Sequence, residues 1–250
     1  VLKRYTRIIF SFPLLLAVFT IFPEMQLAQT SVKTTIYLFP GQGSDERIFA
    51  ELKPDSEYTF VSIKYPVPEK KTSLKQYARQ VSTQIDTTGP YIFIGVSLGG
   101  MICTELTETM KPQKTIIISS AKCRNELPFR YKFQKAIPIY KLVPRGLIKG
   151  GARMLQPIVE PDRKKNKAVF KSMLRSKDKR YLKRTVAMII TWDRKTFSDK
   201  IIHIHGTKDH TLPYRKVKCN YTVKKGSHMM TLTRGSEING LIHEILRSKD

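Results

Sequence analysis

Ile94-Gly95-Val96-Ser97-Leu98-Gly99-Gly100 follows the apolar run from Tyr91 and precedes a helix-like stretch from Met101 to Met110. A serine between two glycines, placed between a strand and a helix, is the pattern of a nucleophile elbow. The turn must be tight enough to lift the Ser97 hydroxyl above the end of a sheet. Its backbone is strained and its neighbours are crowded, so glycine is wanted on both sides.

Outward from this elbow, extended apolar runs alternate with helical stretches, as in a mainly parallel sheet covered by helices. Strands are expected at Thr34–Phe39, Thr59–Lys64, Tyr91–Val96, Thr115–Ser119, Lys200–His205 and Asn220–Val223. Their near-continuous apolarity suits strands buried on both faces. Helices are expected at Ser73–Ile85, Leu98–Met110 and Glu237–Arg247. From about Ala121 to Phe197 there is no strand signal, only apolar residues at helical spacing such as Ala168, Phe170, Met173 and Leu174, then Tyr181, Val186, Met188 and Ile189. That interval is too long for a loop. It reads as an inserted helical cap broken by Pro128, Pro138, Pro144, Pro157 and Pro161. The expected organisation is an N-terminal apolar segment over 1–29, a first core part over 30–120, the cap over 121–197 and a second core part over 198–250.

A serine hydroxyl needs a base within hydrogen-bond reach and an acid to orient that base. His228, in Lys225-Gly226-Ser227-His228-Met229-Met230, lies just past the last expected strand and is the expected base. His203, on a strand, and His243, in the last helix, read as structural. Asp209, in His205-Gly206-Thr207-Lys208-Asp209, follows the fifth strand and is the expected acid; Glu126 is the runner-up and His210 a rim residue. The chain order Ser97, Asp209, His228 fits this reading. Phe39-Pro40-Gly41-Gln42-Gly43-Ser44 follows the first strand, where the backbone N–H of Gln42 can join that of Leu98 as an oxyanion hole. The same glycine-rich turn lacks both G-x-G-x-x-G and a G-K-[ST] ending, which argues against a nucleotide site.

On these residues the chain resembles α/β-hydrolase-fold proteins from about Thr34 to Arg247. The elbow at Ser97, the His-Gly-Thr-Lys-Asp segment ending at Asp209 and the Gly-Ser-His segment ending at His228 carry the likeness. One departure is Pro40-Gly41, where many members have His-Gly. The resemblance implies the fold, the triad and hydrolysis, with no metal or organic cofactor called for. It does not imply a substrate. A carboxylic ester is the expected one, with a thioesterase, a carbon–carbon bond hydrolase or a non-enzymatic scaffold as alternatives.

The chain has 250 residues and a formal charge of +25. Between Ala121 and Lys200 there are 23 Lys/Arg against 6 Asp/Glu, so this third holds most of the excess. Such a field favours anionic neighbours, whether substrate or surface. No nucleic-acid module accompanies it, so no specific nucleic-acid partner is expected. Arg124, Arg130, Lys132 and Lys135 are interleaved with Phe129, Tyr131, Phe133 and Tyr140. The plainer expectation there is aromatics packing the cap onto the sheet while the charges face water. Cys103, Cys123 and Cys219 share no short spacing and read as neither metal site nor disulfide framework.

At the N-terminus, Lys3, Arg4 and Arg7 precede an apolar stretch from Ile8 to Phe22, with small or polar residues near Ala28. This reads as a cleavable signal peptide, hence a secreted or periplasmic protein. A start at Met25 would instead place the protein in the cytoplasm.

Overall fold

The computed structural model describes residues 33–142, 144, 150 and 166–248. The N-terminal apolar segment, Pro157 and Pro161 lie outside the described residues.

Six strands form one sheet in the order β2-β1-β3-β4-β5-β6: β1 (Thr34–Phe39), β2 (Tyr58–Ser62), β3 (Tyr91–Val96), β4 (Thr115–Ile118), β5 (Ile201–Gly206) and β6 (Tyr221–Val223). Every pairing is parallel. Successive residues of a strand point to opposite faces, so a parallel sheet covered on both sides needs apolar side chains at every position. β3 and β4 are buried throughout. The reading of all strands as buried on both faces fails at β2, which alternates half-buried and exposed residues, and at β6, which has an exposed centre. Each is an edge strand with one neighbour, so one side of each lacks cover.

On one face, Tyr37, Phe39, Phe93 and Ile117 pack under α1 (Leu74–Ser82) and α2 (Leu98–Met110). The other face carries Ile36, Leu38, Ile92, Ile94, Ile116 and Ile118. α1 begins at a capping box, in which Ser73 Oγ accepts from the Gln76 N–H while the Gln76 side chain accepts from the Ser73 N–H.

Between β4 and β5 the described residues hold α3 (Phe129–Ala136), α4 (Lys167–Ser176) and α5 (Lys179–Thr191), with no strand. α4 places Phe170 and Met173 in one core cluster, while α5 places Tyr181, Leu182, Met188 and Ile189 in the other. Trp192 is buried beside them, its indole N–H donating to Glu105. α3 buries no residue. The expectation that Phe129 and Phe133 pack the insertion onto the sheet is therefore wrong. Tyr131 is the side chain of α3 that packs against the core, and both phenylalanines face outward.

After β6 come a short helix, α6 (Met230–Thr233), absent from the sequence reading, and α7 (Gly235–Arg247). α7 inserts Ile238, Ile242 and Ile245 under the sheet at helical spacing. Cys103, Cys123 and Cys219 are free thiols, and Cys103 is a core residue. No described helix is long and apolar enough to cross a membrane.

Candidate active site

Because all six strands run the same way, the segments leaving their C-terminal ends gather along one edge of the sheet. Open parallel sheets bind their ligands there. Ser97 follows β3, Asp209 follows β5 and His228 follows β6.

Ser97 stands between β3 and α2 with φ 53° and ψ −116°, a left-handed conformation that an L-residue holds only when its surroundings impose it. Three hydrogen bonds do so here. The Ser97 N–H donates to Ile118 O, and its carbonyl accepts from the Met101 N–H and from Ser120 Oγ. The flanking glycines answer to the same crowding. A Cβ on Gly95 would lie 2.6 Å from the Gly100 nitrogen, and one on Gly99 would run into the Phe39 carbonyl.

His228 Nε2 lies 2.9 Å from Ser97 Oγ, and His228 Nδ1 lies 2.8 Å from Asp209 Oδ2. A carboxylate only accepts, so Nδ1 carries the hydrogen and Nε2 presents its lone pair to the serine hydroxyl. Asp209 Oδ1 accepts from the Thr211 and Leu212 N–H groups at 2.9 and 2.7 Å, which fixes the carboxylate plane. The loops bearing Asp209 and His228 are joined by the Lys208 N–H donating to Gly226 O. Asp209 and His228 are buried, whereas Ser97 keeps partial access to solvent.

The other histidines and acids stand elsewhere. His243 bonds to Asp55 and Lys53 O, and His210 is exposed. Glu126 accepts from the Lys122 and Lys218 N–H groups, and burial raises its carboxyl above the ordinary value.

The turn after β1 passes beside the serine. A Cβ on Gly41 would lie 3.4 Å from Ser97 Cβ, which puts the next residue, Gln42, at the same edge as Leu98. Three hydrogen bonds, to the insertion and from the β2–α1 loop, hold this turn, and no local sequence pattern announces them. Gln42 Nε2 donates to Leu182 O and to Thr185 Oγ1 at 3.1 and 2.7 Å, and the Tyr65 hydroxyl donates to Pro40 O. A side chain 140 positions away leaves no local pattern to read.

Behind Asp209 lies a second unforeseen feature, a buried histidine pair. His205 Nε2 donates to Leu212 O at 2.8 Å and passes 3.5 Å from Asp209 Oδ2. With its hydrogen there, His205 Nδ1 accepts from His203 Nε2 at 3.0 Å. That leaves the His203 Nδ1 lone pair buried without a hydrogen-bond partner among the described residues. Burial pushes His203 well below the ordinary histidine pKa, and the neighbouring His205 adds to the shift. Burial also lowers His205, against an opposing pull from Asp209. Burial disfavours a charge on either ring, and the bond from His205 to Leu212 O ties the strand end to the Leu212 turn. Among the described residues no group of three or more His, Cys, Asp or Glu side chains is arranged to hold a metal ion.

No protein-family model matches the chain, and comparison with curated proteins finds no match. Solved structures do share its fold. An enol-lactonase from Burkholderia xenovorans superposes with a TM-score of 0.65 at 12% identity, covering 86% of this chain and 92% of that one. A thermophilic esterase from Thermogutta terrifontis gives 0.64 at 13% identity, covering 87% and 91%. An esterase from Exiguobacterium antarcticum gives 0.62 at 14%, covering 87% and 93%.

Proposed function

We propose that this chain, which has the α/β-hydrolase fold, is a serine hydrolase cleaving a carboxylic ester through an acyl-serine intermediate. One observation carries the reading: the continuous hydrogen-bond line from Ser97 Oγ through His228 to Asp209, with steps of 2.9 and 2.8 Å.

In this mechanism His228 Nε2 takes the proton as Ser97 Oγ attacks the acyl carbon. Asp209 holds the imidazole tautomer and stabilises the imidazolium. Negative charge develops on the carbonyl oxygen and is met by the N–H groups of Gln42 and Leu98. The tetrahedral intermediate collapses and His228 returns the proton to the departing alcohol. A water molecule, deprotonated by the same histidine, then releases the acid and restores Ser97. The 121–197 insertion acts as the cap that shapes the acyl pocket, and its tie to Gln42 supports that role.

The substrate is a small acyl compound, and a cyclic ester fits the same chemistry. A thioester or a carbon–carbon bond would use the same groups. The basic and apolar N-terminal stretch supports a periplasmic or secreted location, with the cytoplasm as the alternative if translation starts at Met25. N-terminal sequencing of the mature protein separates the two.

Hydrolysis of a p-nitrophenyl ester series from acetyl to dodecanoyl, by the chain and its Ser97→Ala variant, tests the activity. The expected result is turnover that falls about 10⁵-fold in the variant, with an optimum chain length that sizes the pocket. Equal turnover by the variant would overturn the assignment. Silence across the series with no fluorophosphonate labelling of Ser97 would favour a scaffold.

A further inference from the structure

α3 combines two features that a water-facing helix rarely has together. Phe129 and Phe133 are 73% and 38% exposed with their rings 5.9 Å apart, and the chain beyond them exposes Ile137, Ile139 and Leu142 at 52%, 50% and 81%. On a helix, positions 129, 133 and 136 fall on one face, with 130 and 132 on either flank. That sets Arg130 and Lys132 beside the apolar stripe. From Leu127 to Val159 the sequence holds seven Lys/Arg and no Asp or Glu.

Lys141, at the end of this segment, also lines a cleft of about 660 Å³ with Lys70, Lys71, Arg180, Lys183 and Arg184. The positive surface thus continues from α3 onto α5. Exposed apolar area this concentrated marks an interaction site. An apolar stripe edged by cations is complementary to a bilayer interface, where acyl chains lie beneath anionic headgroups. A nucleic acid would match the charges but leave five large apolar side chains in water.

We propose that α3 and the turn after it dock this protein on anionic lipid surfaces, the apolar side chains entering the interface and the flanking cations meeting headgroups. Arg130 also donates to Thr211 O, on the turn whose N–H groups hold Asp209. Docking therefore brings the edge of the sheet that carries Ser97 close to the lipid.

The test is co-sedimentation of the purified full chain with vesicles of phosphatidylcholine alone or with about one-third phosphatidylglycerol. Binding should be at least about tenfold tighter to the anionic vesicles and should weaken as salt rises from about 0.1 to about 0.5 M. The exposed triple variant Phe129→Ser/Phe133→Ser/Ile137→Ser should lose about tenfold in affinity, with its circular dichroism unchanged. The apolar N-terminal stretch is common to both chains, so the difference reports on α3. Ser97→Ala should bind as the parent does, which separates this proposal from the hydrolase assignment. A Phe129→Trp variant should be quenched by brominated acyl chains, while buried Trp192 is shielded. Equal binding to both vesicle types, binding indifferent to the triple variant, absence of quenching, or capture by a soluble polyanion in place of vesicles would each overturn the proposal.

Discussion

α2 and α3 leave neighbouring strands at the same edge of one sheet, yet they settle in opposite ways. α2 buries nine of its thirteen residues, Leu98 to Leu106 without a break. α3 buries none of its eight. The difference traces to composition. α2 opens Leu-Gly-Gly-Met-Ile-Cys, small and apolar all round, so it can lie directly on β3 and β4 and fix the head of the helix where Ser97 stands. α3 reads Phe-Arg-Tyr-Lys-Phe-Gln-Lys, with Tyr131 on the face opposite Phe129 and Phe133, so no orientation buries all three rings against the sheet without also burying the cations between them. Burying an unpaired charge costs far more than exposing a phenylalanine. The helix therefore docks through Tyr131 and turns the rest outward.

Substitutions can press on that contrast. The largest gap should be in turnover: Asp209→Asn, at the sheet edge, should lower kcat about 10⁴-fold on soluble p-nitrophenyl esters. Phe133→Ser on α3 should change it by no more than about twofold. A comparable loss from both would mean that α3 belongs to the reacting site.

Next in size is stability. Ile102→Ala, fully buried in α2, should cost about 3 kcal/mol in urea denaturation, and Phe133→Ala about 0.5 kcal/mol or less. Equal costs would show that α3 packs more tightly in solution than its exposure implies.

A third test uses pH and bears on the histidine pair at the sheet edge. His203 and His205 have depressed values in the folded protein, so at mildly acidic pH the unfolded chain binds more protons than the folded one. Their contribution is fully present above the ordinary histidine value near 6.5 and is lost as pH falls below it. The slope is up to about 1.4 kcal/mol per pH unit for each ring. Urea midpoints measured from pH 7.5 to 5 should fall, and His203→Gln, which keeps a donor toward His205, should flatten the decline. An unchanged slope would mean that other groups set it.

What could be read from the chain divides along the same line. β1, β3 and α2 span the residues that the apolar pattern marks, because there burial alone decides conformation. The order of Ser97, Asp209 and His228 was legible because each sits just past a strand, and a parallel sheet brings such positions together. The outward face of α3 was not, since alternating aromatics and cations serve equally for a packed helix or an exposed one. Nor were the grip of Thr185 on Gln42 and the pairing of His203 with His205. The first joins residues far apart in sequence, and the second depends on which ring nitrogen a distant carbonyl selects.

The Gln42 side chain ends on α5, within the insertion, while its backbone belongs to the turn beside Ser97. The two parts of the molecule are therefore not interchangeable modules. Exchanging the insertion for another would also release the turn beside the serine. Evolution or engineering working on this chain must carry Thr185 and the Leu182 carbonyl along with any new insertion, or rebuild the turn at the same time.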